Sequence, residues 1–507
     1  MRWRFLGVGA ILSLLLGCTW PRLEPPRQTL APSTTRVTVT AQITASPAVA
    51  TATQTTATLP PTPAPTQKDT PPATTVVPTA AVTQPRPVIL HPPAHTSPGT
   101  PLSYETTVTL LAYDYRSALR ETAPGDPRYP YPGLDFEALG PPQPVSYQGV
   151  VLENGYVALT ILPELGGRIY RWVDKATGAH LLYENPEVHP RPLPGGGWWL
   201  PVGGIAWLFP SAERGLADAR PWEYETGFTA HGLSVTVWHT EERTGMQVGA
   251  TISLDADHAY VTLQPWAQND GDAPQPYQLW LNGLLALSVG GVSQRTRIIL
   301  PVDRVLPDGE ETAVSWPERD GSDLSWYGEW GGAQGFFVPE VSYGFVGLYD
   351  PVADQGMVRV FSPGWPAGTR LSSATSGDEG EVIELWSGAT PDFSTGATLA
   401  PGERASWIER WYPVYGIGAF TYANESAALR LAQTETGVQV GLAVSAATTG
   451  HLSLWDGGRL VASWPVWLAP GEAFQAVWTR PAGATGSMGL KLEDVDGVVL
   501  AQTGDGF

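Results

Sequence analysis

Tyr156-Val157-Ala158-Leu159-Thr160-Ile161-Leu162-Pro163-Glu164-Leu165-Gly166-Gly167-Arg168-Ile169 is the stretch that decides the fold. Val157, Leu159 and Ile161 alternate with Tyr156, Ala158 and Thr160, the period of two that marks a half-buried strand. Asn154-Gly155 precedes it as a turn, and Gly166-Gly167 follows as a second turn with Arg168 at its exit. The same alternation returns at Leu233-Val235-Val237, around Trp407–Tyr412 and at Val438-Val440-Leu442-Val444. Asp-Gly pairs at 270, 308, 456 and 496 punctuate these runs as hairpin turns. No 15-residue window sustains a period of 3.6. With 56 Gly, 49 Pro and only 15% charged residues, the chain has little material for exposed helix faces. The expected class is all-β.

Outward toward the N-terminus the character changes. Arg2 and Arg4 precede an apolar run, Phe5–Leu16, too short to span a bilayer, so it reads as an export signal. Leu15-Leu16-Gly17-Cys18 resembles the lipobox of bacterial lipoproteins, which implies lipidation of Cys18, a membrane anchor and an extracytoplasmic location at the cell envelope. Cys18 is the chain's one cysteine, which excludes intramolecular disulfides. Residues 1–18 are thus expected to be a leader and 19–103 a disordered stalk. From 21 to 100, 20 residues are Thr and 17 are Pro, leaving too little apolar surface to offset the entropy of ordering. The formal net charge is −20. That sign argues against nucleic acid and anionic membrane surfaces as partners.

Between 104 and 420 a string of segments follows one pattern: Leu152-Glu153-Asn154-Gly155-Tyr156, Leu162–Ile169, Leu182-Tyr183-Glu184-Asn185-Pro186, Gly203–Pro210, Trp280-Leu281-Asn282 and Tyr343–Asp350. This resembles an uncharacterised bacterial domain family with a galactose-mutarotase-like fold, often found ahead of tetratricopeptide repeats. The resemblance implies a large antiparallel supersandwich over 104–420 with a concave, carbohydrate-binding face. Residues 421–507 lie outside it. Their short alternating strands fit a small β-sandwich of immunoglobulin-like or carbohydrate-binding-module type. There Trp455, Trp464, Trp467 and Trp478 read as core or as a second glycan surface.

The resemblance also implies site residues. The superfamily opens and recloses a sugar hemiacetal with a glutamate base, a histidine acid and an orienting arginine. Glu384, in Ile383-Glu384-Leu385-Trp386-Ser387-Gly388 ahead of Pro391-Asp392, matches the base segment, and Arg168 the early arginine. The acid position departs: where those enzymes read His-x-Tyr-Phe-Asn, this chain has Gln278-Leu279-Trp280-Leu281-Asn282. Glutamine has no proton to titrate. The nearer family's Glu and His around Trp-x-Phe-Pro are replaced by Ala206 and Glu213. Arg168, Trp207, Gln278, Trp280, Asn282, Trp365 and Trp386 are the expected carbohydrate contacts, because pyranose faces stack on aromatic rings. Each has a structural alternative. Arg168 could pair with a carboxylate at a strand end, Glu384 could stand outward on an edge strand, and the tryptophans could be core.

No His-Glu-x-x-His, Gly-x-Ser-x-Gly or P-loop occurs, and the eight histidines show no ligand spacing, so no metal or cofactor is expected. Three readings stay open. One is an anchored lipoprotein that binds carbohydrate. The second is an epimerase, glycosidase or lyase using Glu384. The third is a structural envelope protein that mediates protein contacts.

Overall fold

The computed structural model describes residues 88–90 and 100–507, except 194–196, 212–215, 289–290, 333, 340–343, 365, 376–380, 436 and 482–485. Cys18, the leader, Trp365 and Glu213 therefore lie outside the described residues. Among the described residues only short 3-10 turns accompany the strands, and no helix is long and apolar enough to cross a membrane.

Two large sheets, antiparallel but for the short edge strand Glu187–Val188 of the first, stack face to face. The first is twelve-stranded. Its centre runs, neighbour to neighbour, through Gly335–Phe337, Gly368–Thr375, Glu381–Gly388, Trp280–Leu285, Ile205–Leu208, Arg168–Asp174, Val157–Leu162, Gln143–Glu153 and Leu102–Ala112. The second is nine-stranded and includes Gly232–Thr240, Gln247–Asp255, Val261–Gln268, Glu409–Tyr415, Gln355–Phe361 and Phe345–Asp350. Alternation along each strand turns one apolar set inward. Leu159, Ile161, Ile169, Ile205, Leu281, Leu371 and Leu385 meet Val235, Ile252, Leu263, Leu348 and Trp411 in one continuous core. The expected all-β supersandwich is what the chain forms.

Tyr422–Gly504 adds a four-stranded sheet and four strands of a five-stranded one, whose fifth strand is Val88–Leu90, around a second core that includes Leu429, Leu442, Phe474 and Leu490. It packs on the large sandwich through Tyr349, Tyr412, Ile417 and Phe420 against Ala428, Ala443 and Ala473. Of its tryptophans, Trp478 is buried in this core and Trp464 packs against it. Trp455 is half-buried beside the Lys491 ammonium, and Trp467 is 71% exposed.

The stalk expected over 19–103 needs one correction. Val88–Leu90 pairs antiparallel with Ala473–Thr479 (Val88 opposite Gln475, Leu90 opposite Ala473), and Leu102–Ala112 already begins at 102. Val88-Ile89-Leu90 is an uninterrupted run of strand-favouring residues after Pro87, so every residue in it can donate to a ladder.

Candidate functional site

The site is built on three adjacent strands. Register places Asn282 opposite Trp386 and Trp386 opposite Arg370, and in the next row Leu284 opposite Glu384 and Glu384 opposite Ser372. Phe337 and Gly335 extend the two rows, opposite Arg370 and Ser372. Directly opposed residues of an antiparallel ladder share a face, and Leu385 and Leu371 between them belong to the core. Glu384, Ser372, Arg370 and Trp386 therefore stand on the face turned away from the core. Glu384 is not on an edge strand, since its strand is hydrogen-bonded on both sides.

Glu384 is half-buried and held from three directions. Asn282 Nδ2 donates to its Oε1 at 3.1 Å. Ser372 Oγ and Trp386 Nε1 donate to its Oε2 at 2.7 and 3.3 Å. Arg370 Nη1 donates to Ser372 Oγ at 2.6 Å, while Arg370 Nε donates to Asp308 Oδ1 at 3.2 Å and Nη2 pairs with Asp308 Oδ2. The result is a chain of polar contacts, Asp308–Arg370–Ser372–Glu384. Gly335, without a side chain, lets the Asp308–Arg370 pair lie directly over its backbone. The Arg370 guanidinium also lies 5.2 to 5.6 Å from the ring centroids of Phe393, Phe337 and Trp386. That is cation–π distance. Trp280 packs edge-on beneath Phe393 at 4.8 Å.

Above this floor lies an open cleft of about 600 Å³. Its other wall comes from residues 308–334, with Glu310, Arg319, Asp320 and Glu329 on the lining. Arg319 Nη2 pairs with Glu310 at 2.9 Å, so each cation of the cleft is matched by a carboxylate. Behind the floor, in the core, Arg359 and Glu409 are both fully buried with Nε and Oε2 3.6 Å apart. Arg359 donates to Trp386 O at 2.7 Å and Thr369 Oγ1 at 2.6 Å, and Ser387 Oγ donates to Glu409 at 2.9 Å. Burial lowers the Arg359 guanidinium to about 10 and pushes the Glu409 carboxyl up, each opposed by the partner's charge. This pair ties the nine-stranded sheet to the two strands that carry Glu384 and Arg370.

The expected contacts divide. Glu384, Asn282 and Trp386 come together at the cleft floor, although Asn282 and Trp386 are only 2% and 3% exposed and act mainly on Glu384. Trp280 is fully buried under Phe393, and Trp207 lies in the core with its Nε1 donating to Gly167 O at 3.0 Å, so neither is a sugar platform. Gln278 Nε2 donates to Phe393 O and Thr395 O at 2.7 and 2.8 Å. It uses both amide hydrogens to hold the loop that presents Phe393, which an imidazole nitrogen could not do. Six residues separate Gln278 from Leu284, the register partner of Glu384, so the two positions stand about 20 Å apart along the sheet. They cannot form one acid–base pair.

Arg168 is the main correction. It is 3% exposed, and its Nε, Nη1 and Nη2 donate to Leu165 O (2.6 Å), Gly203 O (3.2 Å) and Asp218 O (2.7 Å), with the Asp218 carboxylate 3.8 Å away. It seals the Gly-Gly turn. Its strand lies three strand spacings, about 14 Å, from that of Glu384, so no single sugar bridges them.

Arg370, Ser372, Asp308 and Phe337 are site residues that sequence reasoning missed. Thr369-Arg370-Leu371-Ser372 does alternate, which marks an outward polar pair, but nothing local aligns that pair with Glu384.

Among solved structures the chain is similar to a TPR-domain containing protein from Parabacteroides distasonis ATCC 8503, at 23% identity and TM-score 0.54 over 62% of this chain and 55% of that one. The chain thus spans about half of that protein's length. It is also similar to galactose mutarotase-like proteins from Clostridium acetobutylicum (14% identity, 53% of this chain and 96% of that one, TM-score 0.40) and Lactobacillus casei ATCC 334 (14%, 52% and 100%, 0.40). Residues 125–414 match the model of a domain family of unknown function, DUF5107. That match covers more than half of the chain, and the protein belongs to the DUF5107 family.

Proposed function

We propose that this protein binds carbohydrate in the Glu384 cleft, and that Cys18 and the Thr/Pro-rich stalk hold the folded part at the outer side of a cell membrane. The observation that carries the reading is the cleft floor. A carboxylate fixed by three donors stands beside a guanidinium that is itself packed among aromatic rings. A sugar presents hydroxyls that need directional acceptors and donors, together with apolar C–H faces that pack on rings. Phe337 and Phe393 are half-buried and pack against the Arg370 guanidinium, next to the residues that line the cleft. The mutarotase-like relatives agree with a sugar-directed role.

An enzymatic reading has one observation in its favour: Asp308, Glu310, Asp320 and Glu329 line the same cleft as Glu384. A carboxyl pair across a sugar is the general arrangement for glycoside hydrolysis. One experiment separates the readings. The full chain and Glu384→Gln are applied to an array of neutral and acidic glycans, and hits are incubated and analysed for products by mass spectrometry. Binding without products supports a binding protein. Products that Glu384→Gln abolishes establish an enzyme. No binding to any glycan overturns the carbohydrate reading and favours protein contacts. Mass spectrometry of the mature N-terminus tests the anchor, because an unmodified Cys18 in the mature protein rules it out.

A further inference from the structure

A second cleft, of about 820 Å³, opens near the ends of the same strands, lined by His180, Tyr183, Glu184, Ala286, Val352 and Gln355 among others. Its walls are mainly apolar, and its polar centre is a fixed relay. Arg171 Nε and Nη2 donate to Glu184 Oε2 at 2.9 and 2.6 Å, and Glu184 Oε1 lies 2.6 Å from His180 Nδ1. Nδ1 faces Glu184, so Nε2 is the ring nitrogen turned to other partners. The Glu184 side chain is 15% exposed and that of His180 52%, so the relay is anchored at its base and open at its tip.

The two clefts border one patch of the sheet. Tyr183, Ala286 and Val382 form an apolar cluster flanked by Leu284 and Ala374. Leu284 is the register partner of Glu384, and Val382 lies two residues before Glu384, on the same side of its strand. Tyr183 N donates to Leu284 O at 2.9 Å, which puts Tyr183 two strand spacings, about 10 Å, from Glu384. A ligand seated on Glu384 that extends across this patch reaches His180.

Resting on the carbohydrate reading of the Glu384 cleft, we propose that the His180 cleft is a second subsite of the same surface and that the ligand is a neutral oligosaccharide, not a monosaccharide. Half-buried Leu284 and Ala374, above the buried cluster, meet the C–H face of a central sugar unit, and His180 Nε2 hydrogen-bonds a hydroxyl of a distal one. Neutrality follows from the balance of charges: Arg171 is already matched by Glu184, and the cations of the first cleft by Asp308 and Glu310. An acidic sugar would find no free cation among these and would face the remaining carboxylates.

The test titrates the full chain with gluco-, manno-, galacto- and xylo-oligosaccharides of one, two, four and six units, using His180→Ala and Ala353→Trp, the latter to fill the second cleft from its rim. The expected result is at least one series whose six-unit member binds roughly tenfold or more tighter than its monosaccharide. In both variants the gain with length is lost. A series that binds equally at every length, or a length gain that both variants leave intact, overturns the second subsite while the Glu384 reading stands. Failure of all four series at every length, with Glu384→Gln also silent, removes the carbohydrate reading and this inference with it.

Discussion

Two arginines on the same large sheet show how differently similar sequence signals can end. Arg168 leaves a Gly-Gly turn inside the most distinctive motif of the chain, and the fold buries it against three carbonyls and Asp218. Arg370 sits in an unremarkable alternating run, and the fold places it in a cleft, between Asp308 and Ser372 and against aromatic rings. Gly166 makes the contrast physical. It adopts φ 80°, and a Cβ there would collide with the Asp218 backbone, so the turn has room for neither a side chain nor a ligand. A distinctive motif here marks where the backbone is packed tightest. Ligand chemistry lies where outward rows of neighbouring strands meet a gap.

The largest expected effect breaks the sealed member. Arg168→Met leaves Asp218 buried without its cation and three carbonyls without donors, and should cost about 3–5 kcal/mol in denaturant unfolding. If Arg168→Met keeps full stability but loses glycan affinity, the assignment of the two arginines must be reversed. Next come the open members. Glu384→Gln and Arg370→Met should each weaken glycan binding by about 1–3 kcal/mol, read by titration, with the melting temperature little changed.

A smaller effect concerns the loop between the two. Gln278→His supplies one ring donor in place of two amide hydrogens. It should lose about 1 kcal/mol of stability and gain no epimerase activity, because the position stands about 20 Å from Glu384. Gain of turnover in that variant would show that the register argument misplaces the reaction centre.

The smallest effect is a pH dependence in the same loop. Asp392 is partly buried, which would raise its carboxyl, but Ser394, through Oγ and N–H, and Thr395 donate to it and hold it below the usual aspartate range. A folded-state value below the unfolded one means that the group stabilises at neutral pH. That contribution fades as the pH falls through the lowered value. Asp392→Asn should therefore lower stability slightly at neutral pH and remove part of the acid-induced loss, as measured by unfolding curves from pH 7 down to pH 2.

Much of the fold was legible because its signals are local. The alternation at 157–161 and 438–444 gave strands at those places, and Asn154-Gly155 and Asp456-Gly457 gave turns. Val88–Leu90 was misread as stalk because three residues within a Thr/Pro-rich stretch carry almost no periodic signal. Pairing with Ala473–Thr479, some 385 residues on, orders their backbone. The site was legible only in part. Glu384 and Asn282 stood out through family resemblance, but their hydrogen bond joins positions 102 residues apart. Arg370, Ser372 and Asp308 carried no sign of their company.

By itself the sequence determined the all-β class, the leader-like and Thr/Pro-rich N-terminal segments, and the family. Each of these rests on neighbouring residues, through alternation, composition or motif. Only the tertiary structure decided which charged residues are sealed and which are open. Period two says that Arg370 and Glu384 share a face with their own i+2 neighbours, but not which strand lies alongside. Cross-strand register and the wall formed by residues 308–334 fix that, and both are set by packing over the whole sandwich.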